Sequence, residues 1–178
     1  MTIHFGDSTS IDSGGSLGKI LQVKQAYKTD VFSSTSSGTH NVTGLSVSIT
    51  PASSSNKILV LADVGGHTHN GMGGSFQIKR TISSSSTTIG LANSASNRQR
   101  SSFSGTLYTG DGGGANFIVL TANTKFLDSP NTTSAITYQV AMVQISTALY
   151  CVNRSEFDSD TNDYTRTVSN ITVMEVSA

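Results

Sequence analysis

The chain has 178 residues and a mass of 18.6 kDa, a length suited to one domain that buries roughly 70% of the surface its unfolded form exposes. Charged residues make up 12%, about half the usual share of ~25%, whereas 30 Ser and 23 Thr put a hydroxyl on nearly a third of all positions. Eleven Lys and Arg balance eleven Asp and Glu, so no electrostatic footprint exists for a nucleic-acid backbone, and a coiled coil is equally disfavoured.

The N-terminus, Met1 to Asp7, has no basic flank followed by an apolar stretch and does not read as a secretory signal. The longest apolar runs, such as Ile58-Leu59-Val60-Leu61-Ala62, fall far short of the ~20 residues of a spanning helix, so no membrane partner is expected. The single cysteine, Cys151, forms no internal disulfide, and its place between Tyr150 and Val152 suits a small buried hydrophobe.

In chain order, residues 1–18 lack alternation and read as an extended arm, either a frayed terminus or a docking peptide that orders on a partner. A β-domain is expected over 19–178, because hydrophobic periodicity is two almost everywhere. Strands are predicted over Ile20–Tyr27, over Leu45–Ile49 where apolar residues alternate with Ser46 and Ser48 before Pro51, over Lys57–Val64, and around Phe76 and Ile78. Further strands are expected over Thr87–Leu91, Phe103–Tyr108, Phe117–Thr121, Ile136–Val143, Thr147–Val152 and Thr165–Val176. The strand through Val140 and Met142 is expected to be covered on both faces in its second half. Gly65-Gly66, Gly71–Gly74, Ser83–Ser86 and Gly110–Gly114 read as loop tips. About ten short antiparallel strands with this spacing predict an all-β sandwich of jelly-roll type.

Few constellations carry chemistry. His67 and His69 point the same way in an extended segment, and on a threefold axis three such pairs would offer six nitrogens; the plain alternative is two solvated loop histidines. Asp158, Asp160 and Asn162 have the oxygen spacing that opens a calcium loop, but Asp163 stands where Gly is needed and Ser169 where a bidentate Glu is needed, so a solvated acidic hairpin explains them as well. No metal and no other cofactor is therefore expected. No Gly-x-Ser-x-Gly elbow occurs, only two glutamates exist, Glu156 and Glu175, and the Gly110–Gly114 run lacks the Lys-Ser or Lys-Thr of a phosphate loop. No catalytic residue is assigned and the chain is not expected to be an enzyme. Arg98 and Arg100, with Tyr108 and Asp111, are the candidates for contact with a receptor or partner, since Arg and Tyr favour interfaces.

The stretches Gly18–Val23, Val42–Pro51, Lys57–Leu61, Phe126–Pro130 and Ser169–Val176 resemble small virion surface proteins of tailed bacteriophages, especially aquatic ones. The resemblance covers about residues 18–178, and its most specific parts are Thr-Gly-Leu-Ser-Val-Ser-Ile-Thr-Pro and Ile-Thr-Val-Met-Glu-Val, which are framework segments and mark no site. It implies a trimeric jelly-roll knob on the virion, a head fibre, capsid decoration or short fibre. A major capsid or tail protein would be its partner. A tail-fibre tip touching a host surface glycan or protein, and a monomeric carbohydrate-binding module, are the alternatives. Neither heptads nor a repeated β-motif supplies a fibre shaft, so a compact knob is expected, held by the arm.

Overall fold

A computed structural model describes residues 3–4, 10–11, 19–68, 74–105 and 119–178. In chain order the strands are β1 (Ile3–His4), β2 (Ser10–Ile11), β3 (Ile20–Lys28), β4 (Phe32–Ser34), β5 (Gly38–Ile49), β6 (Lys57–Thr68), β7 (Gly74–Ile82), β8 (Ser85–Ile89), β9 (Leu120–Asp128), β10 (Ile136–Gln144), β11 (Tyr150–Val152) and β12 (Ser169–Val176). No helix occurs among the described residues, and none is long and apolar enough to cross a membrane.

All pairings are antiparallel and form two main sheets. The four-stranded sheet has the order β5-β10-β7-β8. In the six-stranded sheet β6 pairs with β12 over Lys57–Asp63 and with β11 at Gly66, His67 and Thr68. Gly66 faces Val152 of β11 and also Leu120 of β9, so β9 lies on the opposite edge of β6. Strands β12 and β11 thus follow one another along one edge, and β3 and β4 pair with them in the next rank. Within residues 1–18, Ile3 and His4 pair with Ile11 and Ser10 in a two-stranded ribbon; the rest of that segment lies outside the described residues.

The period of two sorts side chains between core and surface. Ile58, Val60, Ala62 and Val64 of β6 and Ile171 and Val173 of β12 point inward from one sheet. Leu45, Val47 and Ile49 of β5, Phe76 and Ile78 of β7, and Ile136, Tyr138, Val140 and Met142 of β10 meet them from the other. These side chains form one continuous core, the expected consequence of two half-apolar sheets excluding water between them. The second half of β10 is buried on both faces, Val140 to Gln144, as its apolar run implies.

Polar groups tie the sheets together. Arg80 of β7 donates through one terminal nitrogen to both Asp128 oxygens at 2.8 and 3.0 Å, and Tyr138 Oη donates to Asp128 Oδ2 at 2.7 Å. Beside β10, the register with β5 jumps from Gln139↔Ser46 to Ala141↔Asn41, so Val42–Leu45 bow out as a bulge with Gly44 at φ +87°. Gln139 Nε2 satisfies the freed carbonyls of Val42 and Leu45 at 2.9 Å each. That bulge lets both Val42 and Leu45 reach the core, where neither is exposed.

Several expectations need correction. Gly65-Gly66 lie inside β6 and form no turn, because the glycines there make room for neighbours. A Cβ on Gly65 would run into Thr167 Oγ1, and one on Gly66 would sit 3.1 Å from the Phe76 ring. Consequently β6 runs on to Thr68. Strand β4 has no counterpart in the periodicity reading, since three residues are too few to show alternation. The terminal strand starts at Ser169 instead of Thr165, and β11 covers only Tyr150–Val152 of the expected Thr147–Val152. Of Phe103–Tyr108, Phe103 makes a single bridge to Phe76, while 106–108 lie outside the described residues. The strand expected over Phe117–Thr121 is β9, Leu120–Asp128; it carries on where Thr121, Asn123 and Lys125 face out and Ala122, Phe126 and Asp128 face in.

Candidate functional site

His67 belongs to β6, opposite Cys151 in the register, and is not a loop residue. His69, Tyr108 and Asp111 lie outside the described residues. Asp158, Asp160 and Asn162 sit in the excursion between β11 and β12. There Asp158 takes Arg154 at 3.5 Å on Oδ2 and Arg166 at 2.5 Å on Oδ1, while Asp160 and Asn162 are exposed. Both oxygens of the first calcium candidate are thus occupied by guanidinium groups, and the excursion is closed by an edge-to-face pair of Phe157 and Tyr164. Among the described residues no three His, Cys, Asp or Glu side chains converge as a metal site.

Arg98 and Arg100 belong to a segment that folds back on β7. Arg98 N donates to Ala95 O, Arg100 Nε to Ala92 O at 2.8 Å, and Gln77 Nε2 to Arg100 O at 2.8 Å. Ser102 Oγ bridges Ile89 O and Ile78 N, and Phe103 exchanges backbone bonds with Phe76, so this segment continues the edge that β8 begins. The alternation that turns Ser102 toward β7 turns Gln99, Ser101 and Phe103 into a pocket of about 460 Å³. Among the described residues, Ala92, Phe103 and Ile145 supply apolar wall, and Ser75, Gln99, Ser101, Gly74 and Ser104 line it as well. The two arginines do not line it. Periodicity had no means of finding this pocket, because its wall joins Ile145 after β10 to residues 40 to 70 positions earlier.

The second surface is the outward face of the six-stranded sheet. Register places Val23, Met174, Leu59 and Leu127 side by side in one row across β3, β12, β6 and β9. Val23 and Leu127 are 51% and 53% exposed. Ile20 and Val176 adjoin the row at one end, and Leu61 stands in the next row with Gln25, Thr172 and Lys125. Asp63 and Tyr27 occupy the row after that, so both charge signs lie on this face. With strands about 4.8 Å apart and residues about 3.3 Å apart, the three rows together span several hundred Å², of which the apolar row is about a third and the other two are mixed in polarity.

The buried titratable groups serve the fold. Glu175, with no exposed surface, accepts from Gln22 Nε2 and Asn56 Nδ2 at 2.6 Å each and from Ala52 N at 2.7 Å. Burial pushes its carboxyl up, but those donors and the Ser53 N–H together outweigh it and hold the group below its ordinary value. Burial moves the Tyr138 hydroxyl far above its ordinary range, reinforced by Asp128, and likewise raises Tyr150. The Cys151 thiol is pushed up to about 11 by burial, the opposite of what a nucleophile requires. Lys28, 2% exposed, pairs with Asp30 at 2.6 Å, and that contact keeps the Asp30 carboxyl low.

No family model matches the chain, and no curated protein matches it.

Proposed function

We propose that the chain is a non-enzymatic virion surface protein of a bacteriophage, a homotrimeric knob attached to the head or tail by residues 1–18. The observation that carries the self-association is the outward apolar row Val23, Met174, Leu59 and Leu127 on the six-stranded sheet. Val23 and Leu127 are half-exposed at the two ends of the row and Met174 and Leu59 are partly covered between them, and burying this aliphatic surface against copies of the same chain removes the cost of holding it in water. The occupant is further copies of this chain. Asp63 and Lys125 put both charge signs on the same face, and a net charge of zero adds no repulsion between copies.

The connectivity supports the jelly-roll reading. Taking the eight strands of the ranks β3-β12-β6-β9 and β5-β10-β7-β8 alone, the chain crosses between sheets at each step except the β7–β8 hairpin, while the short β4 and β11 lie within the six-stranded sheet after β3 and before β12. The absence of an enzymatic role is supported by the engagement of Glu175, Asp128 and Cys151 in structural contacts. The virion assignment rests on the resemblance of the framework segments.

Light scattering of the purified chain tests the association. A mass three times 18.6 kDa is expected, and Leu127→Glu, a change outside the core, is expected to give a monomer with an unchanged circular dichroism spectrum. A parent chain that stays monomeric at every concentration refutes the knob. Gold-labelled antibody on particles then distinguishes heads from tails; label confined to tail ends favours the receptor-binding tip.

A further inference from the structure

We propose that the chain meets the particle through the end of the sandwich that residues 1–18 join, and presents the opposite end, with the turn at 35–37, outward; the proposal rests on the virion reading above. Strand directions gather one set of features at the joining end. Ile136 of β10 faces Ile49 of β5 and Ile82 of β7, and Val176 of β12 faces Ile20 of β3 and Lys57 of β6. The turns 50–56, 83–84 and 129–135 therefore lie together with Lys19, where residues 1–18 meet the body. Hydrogen bonds hold this end as one surface. Gln22 Nε2 donates to Thr50 O at 2.7 Å, Lys57 Nζ to Ser129 Oγ at 2.7 Å and Ala178 N to Asn56 Oδ1 at 3.3 Å. Lys19 is pinned as well, its N donating to Ser177 Oγ and its O accepting from Ser177 N, each at 2.9 Å.

The reach of the arm selects this end over the other. Ile3–His4 and Ser10–Ile11 form a sheet of their own, joined to neither main sheet, and a ribbon of two residue pairs is too small to stand by itself in water. A partner surface supplies what it lacks. Lys19 follows Ile11 by eight residues, which extend to at most ~29 Å. Strand β6 alone, Lys57–Thr68, runs ~36 Å from the joining end to the far end, so a ribbon seated on the particle cannot bring the far end against it. At that far end Ser34 faces Tyr150, Tyr150 faces Thr68 and Gly38 faces Gln144, with exposed residues 35–37 between β4 and β5. The turns of the joining end suit a polar protein surface. Residues 50–56, 83–86 and 129–135 include twelve Ser and Thr and no charged side chain, with Lys19 and Lys57 beside them. Their hydroxyls exchange water for a partner's amides and hydroxyls without desolvating a charge within the turns.

Thiol protection on particles tests the orientation with the full chain. Ser54→Cys and Thr133→Cys put a thiol at exposed positions of the joining end, and Ser37→Cys puts one at an exposed position of the far end. Cys151 is buried and adds little background. A maleimide bearing a polyethylene glycol chain is expected to modify all three variants of the purified chain. On particles Ser37→Cys is expected to keep its rate, while Ser54→Cys and Thr133→Cys react slower by about tenfold or more. Because the purified chain carries its own contacts between copies, the difference between the two samples reports the particle contact alone. Unchanged rates at Ser54→Cys and Thr133→Cys, or protection at Ser37→Cys, would overturn the orientation and leave the virion reading standing. Particles that carry no copy of the chain would remove that reading and this proposal with it.

Discussion

Glu175 is the residue on which the end of the sandwich depends, since its carboxylate gathers donors from β3 and from the 51–56 turn without any cation among its described contacts. In the unfolded chain it titrates near 4.5 and in the folded chain lower. The group therefore stabilises the fold fully above pH 4.5, and that contribution disappears as pH falls through the folded value. Replacing it with Gln removes the charge and one of the two acceptor oxygens that serve Gln22 Nε2, Asn56 Nδ2 and Ala52 N, and a loss of about 1–3 kcal/mol is expected at pH 7. In urea titrations the difference between parent and Glu175→Gln should shrink below pH 4.5; a pH-independent difference contradicts the argument. Tyr138→Phe removes one donor from Asp128 while Arg80 stays, and a smaller loss of about 1 kcal/mol is expected from the same measurement.

At the scale of the element, β7 and β8 are joined by the two-residue turn Ser83-Ser84, with φ of +46° and +69° and with Ile82 paired to Ser85. Both residues occupy the left-handed region of a type I′ turn, which suits Asn-Gly and strains serine. Ser83→Asn with Ser84→Gly is expected to raise stability by about 0.5–1 kcal/mol, read as a higher melting temperature. In β6 the opposite holds, for Gly65 leaves no room for a Cβ next to Thr167. Gly65→Ala should cost about 1–3 kcal/mol and be partly rescued by Thr167→Ala, whereas a cost unaffected by the second change would locate the strain elsewhere.

For the whole molecule, the two surfaces lie on different parts of the sandwich, the apolar row outward from the six-stranded sheet and the pocket at the edge that β8 and the Gln99–Phe103 segment share. The buried thiol gives a probe of the intact molecule. With Cys151 fully buried and its pKa raised to about 11, modification by an aromatic disulfide reagent is expected only on unfolding, and rapid reaction at neutral pH would mean that the β4–β11–β6 region opens.

Alternation in Leu45–Ile49, Lys57–Val64 and Ile136–Val143 made strands, their buried faces and the all-β class legible, because a period of two is written locally in each run. Local patterns say nothing about distant partners, and those partners decided the rest. Gly65-Gly66 read as a turn until Thr167 and Phe76 explained them as packing positions. Glu175 looked like one acid in a strand, and its donors come from residues 119 to 153 positions away. Neither the apolar row nor the pocket has a sequence signature, since each is assembled across strands whose order only the tertiary register supplies. Which residues alternate is a property of the chain; which of them become neighbours is a property of the packed sheets.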